Sequence, residues 1–200
     1  MKAFLLALLL PFPAAAGALS DLLMAPGVYS AAAAGPLLAY DEERAVPAGS
    51  GLRPVTGGRL VLALADGADG RQLVLTQETG EARRPVASFP GGSSNPVLLY
   101  FLESTVRDMA EATGGSPFYI RNRMREALGA AGLGADAEPR DVVIEPFSGD
   151  RNRARMGAFG DLALRLRFDA DRPERLLELS ADTAEGDGGY HHRLTLTAED

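Results

Sequence analysis

The chain has 200 residues, 46% of them hydrophobic and 24% charged, which is an ordinary composition for a single globular domain. It contains no cysteine, so disulfides, thiol catalysis, covalent haem attachment and thiolate metal sites are excluded. Its formal charge of −7 makes nucleic acid and anionic membrane surfaces poor partners.

The first 18 residues have the pattern of a cleavable secretory signal peptide. Lys2 gives a short positive region, and residues 3–10 are apolar. Residues 16–18 form an A-x-A cleavage pattern, with residues 14–16 as the alternative. A transmembrane helix needs roughly 20 apolar residues, so this run is too short to be an anchor. We expect residues 1–18 to be removed and residues 19–200 to form one soluble domain in the periplasm, with the extracellular medium as the alternative location.

After the predicted signal peptide, every lysine or arginine position is an arginine, because Lys2 is the only lysine in the chain. A Schiff base, a nucleotide-binding P-loop and a lysine general base are therefore excluded. The two histidines are His191 and His192. So narrow a set of reactive side chains favours binding over catalysis, and we expect no cofactor.

The first part of the domain is predicted to consist of hairpin-linked strands. Residues 19–36, rich in alanine, glycine and proline, indicate a loosely structured start. Residues 66–70 have the composition of a tight turn between two extended segments, and residues 78–81 form a second turn. The predicted strands are residues 37–46, 60–64, 73–76 and a short strand ending near Phe89.

Two consecutive helices follow. Asn95-Pro96 and Ser116-Pro117 each combine a helix-capping residue with a proline at the first helical position. Apolar residues then recur at helical spacing, and Glu103 and Arg107 are spaced to form an i,i+4 ion pair. Glycines at 114–115 and at 129 predict the two helix ends.

Strands resume after a short linker at residues 129–139. Residues 162–168 alternate leucine or phenylalanine with alanine or arginine, which is typical of a half-buried strand. The other predicted strands are residues 142–144, 175–180 and 190–197. Turns this short join antiparallel neighbours. We therefore predict an α+β domain: a curved antiparallel β-sheet of six to eight strands, with two consecutive helices inserted mid-chain and packed on one face.

The adjacent histidines are candidates for a metal site and for part of a catalytic group. Successive side chains on a strand point to opposite faces, so one metal ion cannot easily bind both His191 and His192. We expect one exposed and one half-buried histidine and no metal. No G-x-S-x-G motif is present. A hydrolase that uses His192 with a carboxylate or serine remains the alternative function.

Two arginine-rich runs are unusual in an acidic chain. Arg121, Arg123 and Arg125 lie early in the second predicted helix, where cations oppose the helix dipole. Residues 151–155 repeat the Arg-Asn-Arg pattern. The first run either pairs with carboxylates of the fold, the interpretation we favour, or binds an anionic partner.

Aromatic residues on the helices, among them Tyr100 and Tyr119, either pack in the core or line a pocket between helices and sheet. We predict a non-catalytic binding or envelope accessory protein. Its expected partner is an apolar or anionic amphiphilic ligand, or an envelope protein.

The candidate ligand-binding residues are Arg121, Arg123, Arg125, Tyr100, Tyr119 and His192.

Overall fold

The computed structural model describes residues 19, 23–68, 70–131, 140–169, 172, 175–184 and 188–199. The predicted signal peptide, residues 1–18, lies outside the described residues, as does most of the predicted linker at residues 129–139.

The described residues form one open antiparallel sheet of eight strands. In chain order these are β1 (Gly35–Ala45), β2 (Val55–Gly67), β3 (Gly70–Thr79), β4 (Ala82–Pro90), β5 (Arg140–Ile144), β6 (Ala163–Phe168), β7 (Leu176–Asp182) and β8 (His191–Glu199). Their order across the sheet is β4-β3-β2-β1-β8-β7-β6-β5. The chain therefore builds two four-stranded meanders, and the pairing of β1 with β8 joins them. The predicted antiparallel α+β architecture is confirmed.

Alternating side chains give β2 and β6 one buried face each. On β6, Leu164, Leu166 and Phe168 are buried, whereas Arg165 and Arg167 are exposed. The leucines at positions 60, 62 and 64 of β2 are likewise fully or almost fully buried. A sheet with one apolar face must cover it; the first of two helices packs on this sheet, and the second packs on the first.

The helices are α1 (Pro96–Thr113) and α2 (Pro117–Ala130). Asn95 caps α1, because its Oδ1 accepts from the backbone N–H groups of Val97 at 3.0 Å and Leu98 at 3.3 Å. Gly114 ends α1 in the left-handed conformation with φ 66°, which glycine adopts without strain. The predicted first residues of both helices and the predicted end of α1 are confirmed. The second helix continues one residue beyond Gly129, to Ala130.

Helix α1 crosses the inner face of the sheet near the β1–β8 pair. The ring of Phe101 lies 5.3 Å from the ring of His192, measured between centroids. Farther along the helix, Asp108 contacts Tyr190, the residue before β8. No helix in the described part of the chain is both long and apolar enough to span a bilayer.

The segment before β1, which its composition predicted to be loosely structured, contributes side chains to the core. Leu19, Leu23 and Tyr29 are buried in the core. The N–H of Gly27 donates to the carbonyl oxygens of the loop before α1, at residues 92 and 93. Residues 24–34 form turns and bends without a helix or strand, while these three side chains add apolar contact to the core.

Candidate functional site

Glu42 lies at the centre of a buried polar network between β1, β3, β8 and α1. Its side chain has no exposed surface. Oε2 accepts from the Gln77 amide at 2.6 Å, and Oε1 accepts from the Tyr100 hydroxyl at 3.1 Å. The His192 Nε2 lies 3.3 Å from the same Oε1. We call Glu42, Arg44, Gln77, Tyr100, Asp108, Tyr190 and His192 the Glu42 network.

Strand register explains how these residues meet. Glu42 and Arg44 are two positions apart on β1, so both point to the inner face. On β8, Arg44 pairs with His192 in register, which brings the histidine beside the carboxylate. Gly58 of β2 is the register partner of Glu42. A Cβ at Gly58 would lie 2.5 Å from Val55 Cγ1 and 3.0 Å from the Glu42 carbonyl oxygen, so a side chain would push the strands apart.

Arg44 extends the network toward α1. Its Nη1 donates to both carboxylate oxygens of Asp108, at 2.9 and 3.2 Å, and its Nη2 lies 3.5 Å from Glu42 Oε1. The Tyr190 hydroxyl donates to Asp108 Oδ2 at 2.8 Å. One arginine thus lies between two buried carboxylates, an arrangement that offsets the cost of burying charge.

The pKa values of the network follow from these contacts. Burial raises the pKa of Glu42, but hydrogen bonds from His192 and Gln77, with the charge of Arg44, outweigh burial and hold the pKa below its ordinary value. Burial and the neighbouring carboxylates raise the pKa of Tyr100 and of Tyr190. Both tyrosines are therefore neutral hydrogen-bond donors, and Glu42 is an ionised acceptor.

His192 is fully buried, which corrects the expectation of a half-buried histidine. It lies on a central strand, covered by Phe101 of α1. Because a carboxylate oxygen can only accept, Nε2 carries the proton in the contact with Glu42. The Nδ1 atom is buried without a hydrogen-bond partner in the described part of the chain. His192 thus has the carboxylate neighbour that the hydrolase alternative required, but it has no hydrogen bond to a described serine.

His191 points to the opposite face, as alternation predicted. Its Nδ1 lies 2.9 Å from Asp182 Oδ1, across the β7–β8 pair. Within the described ranges, no group of three or more histidine and acidic side chains is arranged to hold a metal ion.

The three arginines of α2 have separate partners. Arg121 forms a double hydrogen bond with Glu103 of α1, at 2.9 and 2.7 Å. Glu103 therefore pairs with Arg121 instead of with Arg107, the partner that the helical spacing suggested. The Arg123 Nη1 lies 2.7 Å from Glu126, and Arg125 donates to the Asn122 side chain at 2.6 Å.

Arg123 also contacts the second arginine-rich run through Asp150. Its Nε lies 2.9 Å from Asp150 Oδ2. The Tyr119 hydroxyl donates to the same carboxylate at 2.8 Å and accepts from the Asn152 amide at 3.0 Å. Burial raises the pKa of Asp150, but bonds from the Asn152 N–H and Tyr119, with the charge of Arg123, hold it below its ordinary value. The turn at residues 150–152 is thereby fixed against α2.

Beside this turn lies an open cleft of about 370 Å³, which we call the corner cleft. It is bounded by the corner between α1 and α2 and by the segment 152–156. Its lining residues are Met109, Thr113, Gly114, Gly115, Ser116, Tyr119, Ile120, Asn152, Arg155 and Met156. Tyr119 is the sequence-predicted candidate found here.

A second cleft, of about 350 Å³, lies above the Glu42 network between α1 and the β3–β4 hairpin; we call it the sheet–helix cleft. Its lining residues are Arg44, Gln77, Arg84, Pro85, Val86, Tyr100, Ser104, Arg107, Asp108 and Glu111. Tyr100 is the sequence-predicted candidate here, and His192 lies behind it against Glu42. The two clefts therefore contain different members of the predicted set.

Sequence reasoning missed the acidic residues that organise both regions: Glu42, Asp108 and Asp150. One signal for Glu42 was available. Leu38, Tyr40 and Glu42 are two residues apart on one strand, so alternation places a carboxylate where an apolar side chain is expected. For Asp108 and Asp150 no comparable pattern exists.

No protein-family model matches the chain, and no curated protein matches its sequence. The geometry of the two clefts is therefore the basis for inferring function.

Proposed function

We propose that the protein is an exported, non-catalytic binding protein that holds a small anionic amphiphile in the corner cleft. The observation that carries the proposal is an arginine that has no acidic partner among the described residues and lies beside an apolar wall. Arg155 lines the cleft together with Met109, Ile120 and Met156. A single-chain carboxylate such as a fatty acid matches that combination of charge and apolar surface.

The apolar part of the cleft is formed by side chains that are otherwise core residues. Met109, Ile120 and Met156 line the cleft and are almost fully buried, so they form its closely packed apolar floor. Methionine is flexible and polarisable and adapts to ligands of different shape. The volume is at the lower end of the range for small-molecule pockets, roughly 300–1,000 Å³, which favours a short chain.

The polar part is supplied by the 152–156 segment. Arg153 in this segment is paired with Asp161. The guanidinium of Arg155, in contrast, has no ion pair or hydrogen bond with any residue that the structure describes, and it is exposed. An arginine that serves the fold usually has a carboxylate neighbour, so an unpaired one at the rim of a cleft is available to an anionic head group.

The cleft is also held in shape before any ligand arrives. Tyr119, Asp150 and Asn152 bond to one another across the junction of α2 and the turn. A preformed site loses less conformational entropy on binding.

The Glu42–His192 contact is the observation that favours the hydrolase alternative. Both side chains have no exposed surface, and Phe101 covers the histidine ring. A substrate would reach Nε2 only if α1 moved away from the sheet. General-base catalysis needs contact with the reacting proton, so this burial supports the binding proposal.

The proposal is tested by titrating decanoate into the protein in a calorimeter, at low and at physiological salt. Arg155→Met should weaken decanoate binding by about fivefold, the upper value for one partly exposed ion pair. The loss should shrink as salt is added, because salt screens exposed charges.

Arg151→Met is the matched control, since Arg151 is exposed four residues before Arg155, has no ion pair with a described residue, and is not part of the cleft lining. It should leave decanoate binding unchanged. Decanol, which has the chain without the charge, should bind wild type more weakly than decanoate does. Absence of saturable decanoate binding, or equal effects of the two arginine variants, would refute the proposal.

A further inference from the structure

We infer that the sheet–helix cleft is a second binding site, and that it takes a small, strongly polar anion bearing a carboxylate or phosphate group. The inference is independent of the amphiphile proposed for the corner cleft. It starts from the two arginines at the rim of the sheet–helix cleft, Arg84 of β4 and Arg107 of α1.

Neither rim arginine has a carboxylate partner in the described part of the chain. Arg84 donates to the Gln77 side-chain oxygen at 3.1 Å. Arg107 makes only a long hydrogen bond, 3.4 Å, to the backbone oxygen of Glu103. Each guanidinium has five N–H donors, so most of their donors remain available.

Neighbouring arginines behave differently. Arg83, next to Arg84 but on the opposite face of β4, pairs with Glu78 at 3.1 Å. On the same outer face, Arg167 is paired with Asp141 and Arg193 with Glu178. Arg83, Arg167 and Arg193 on the outer face thus each have a cross-strand acid, whereas Arg84 and Arg107 form no ion pair with the acids that line their cleft, Asp108 and Glu111.

The floor of the cleft is polar and rigid. Tyr100, Asp108 and Gln77 are all bonded within the Glu42 network. Arg44 is also part of the floor, and its Nε is buried without a hydrogen-bond partner in the described residues. The lining therefore includes a third guanidinium, held by Asp108 and Glu42 in a fixed position.

The charged and polar side chains of the lining indicate the class of ligand. A planar guanidinium binds carboxylates and phosphates through paired hydrogen bonds, which makes arginine the common side chain for both groups. The Glu111 carboxylate also lines the cleft. Its negative charge repels a highly charged anion. A ligand that also carries a cationic or hydroxyl group would donate a hydrogen bond to it. The polar floor excludes a long apolar chain, which separates this ligand from the amphiphile of the corner cleft.

Titration of the whole protein with inorganic phosphate and, separately, with succinate tests the inference. Calorimetry gives the affinity, and amide chemical shifts locate the bound ion. Arg84→Gln and Arg107→Gln should each weaken binding about two- to fivefold, and Glu111→Gln should strengthen it about twofold, because one repulsive charge is removed. The tighter of the two probes identifies the head group.

Arg83→Gln is the matched control and should leave the affinity unchanged, since it removes the same charge from the same strand on the opposite face. Arg155→Met should also have no effect, so failure at one cleft is distinguishable from failure at the other. Equal weakening by Arg83→Gln and Arg84→Gln would mean that the anion responds only to net charge, which would overturn the inference. Lack of saturable binding of both phosphate and succinate would also overturn it.

Discussion

Replacing Glu42 with glutamine should destabilise the fold by about 3–5 kcal/mol at neutral pH, the usual cost of removing one partner from a buried charge network. Glutamine keeps the volume but turns one acceptor oxygen into an NH₂ group. The NH₂ group is itself a donor, and it would face the donors of Gln77, Tyr100 and His192, which lie 2.6–3.3 Å from the carboxylate oxygens of Glu42. The positive charge of Arg44 would lose one of its two acidic neighbours. A domain of this size has a total stability of roughly 5–15 kcal/mol, so the loss is large.

The effect should depend on pH in a defined direction. The folded-state pKa of Glu42 lies below its ordinary value of 4.5. Ionised Glu42 therefore stabilises the protein fully above about pH 4.5, and this contribution is lost as the pH falls through the lower folded-state pKa. The difference in unfolding free energy between wild type and Glu42→Gln should accordingly be greatest near pH 7 and should shrink in acid.

Urea titration followed by far-ultraviolet circular dichroism is the suitable measurement, because the chain has no tryptophan. Glu103→Gln is the control: it breaks the ion pair with Arg121, but both side chains are partly exposed, at 42% and 44%, so less than about 1 kcal/mol should be lost. A change below about half a kcal/mol for Glu42→Gln, or a difference from wild type that grows in acid, would refute the reasoning.

Three further predictions concern the helices and the N-terminus. Asn95→Ala should cost about 0.5–2 kcal/mol in the same titration, because two backbone donors of α1 lose their acceptor; an unchanged midpoint would contradict the cap. Leu98→Ala should cost about 2–5 kcal/mol, and Leu102→Ala clearly less, because Leu98 is fully buried and Leu102 only partly; the reverse order would show that the buried face is misassigned. Sequencing of the exported protein should begin at Leu19, or at Gly17 for the alternative cleavage; an intact Met1 in the membrane fraction would contradict export.

Helix limits and strand positions were predictable because their signals are local. Asn95 and Ser116 each precede a proline, and both are helix caps in the structure. Alternation within residues 162–168 gave the buried face of β6. These features depend on neighbours a few residues away, which sequence patterns record directly.

The candidate sites were predictable only in part, because they depend on strand order. Tyr100 and His192 were chosen for their side-chain chemistry, and both do contact one residue, Glu42. That residue could not be chosen by type, since the chain has 27 acidic residues. Arg155 belonged to the second arginine-rich run, but its position beside Ile120 follows from the packing of α2 and cannot be read from spacing.

The pairing of β1 with β8 also sets the order in which the sheet can assemble. Within each meander, paired strands are close in sequence and can form early, whereas Glu42 and His192 are 150 residues apart. Closing a loop of that length costs about 4 kcal/mol of chain entropy before the contacts form. Folding should therefore be slow and limited by this final pairing. Until β8 is in place, β1 and β7 each present an unpaired edge, so a chain that stops before β8 is prone to aggregate by strand pairing.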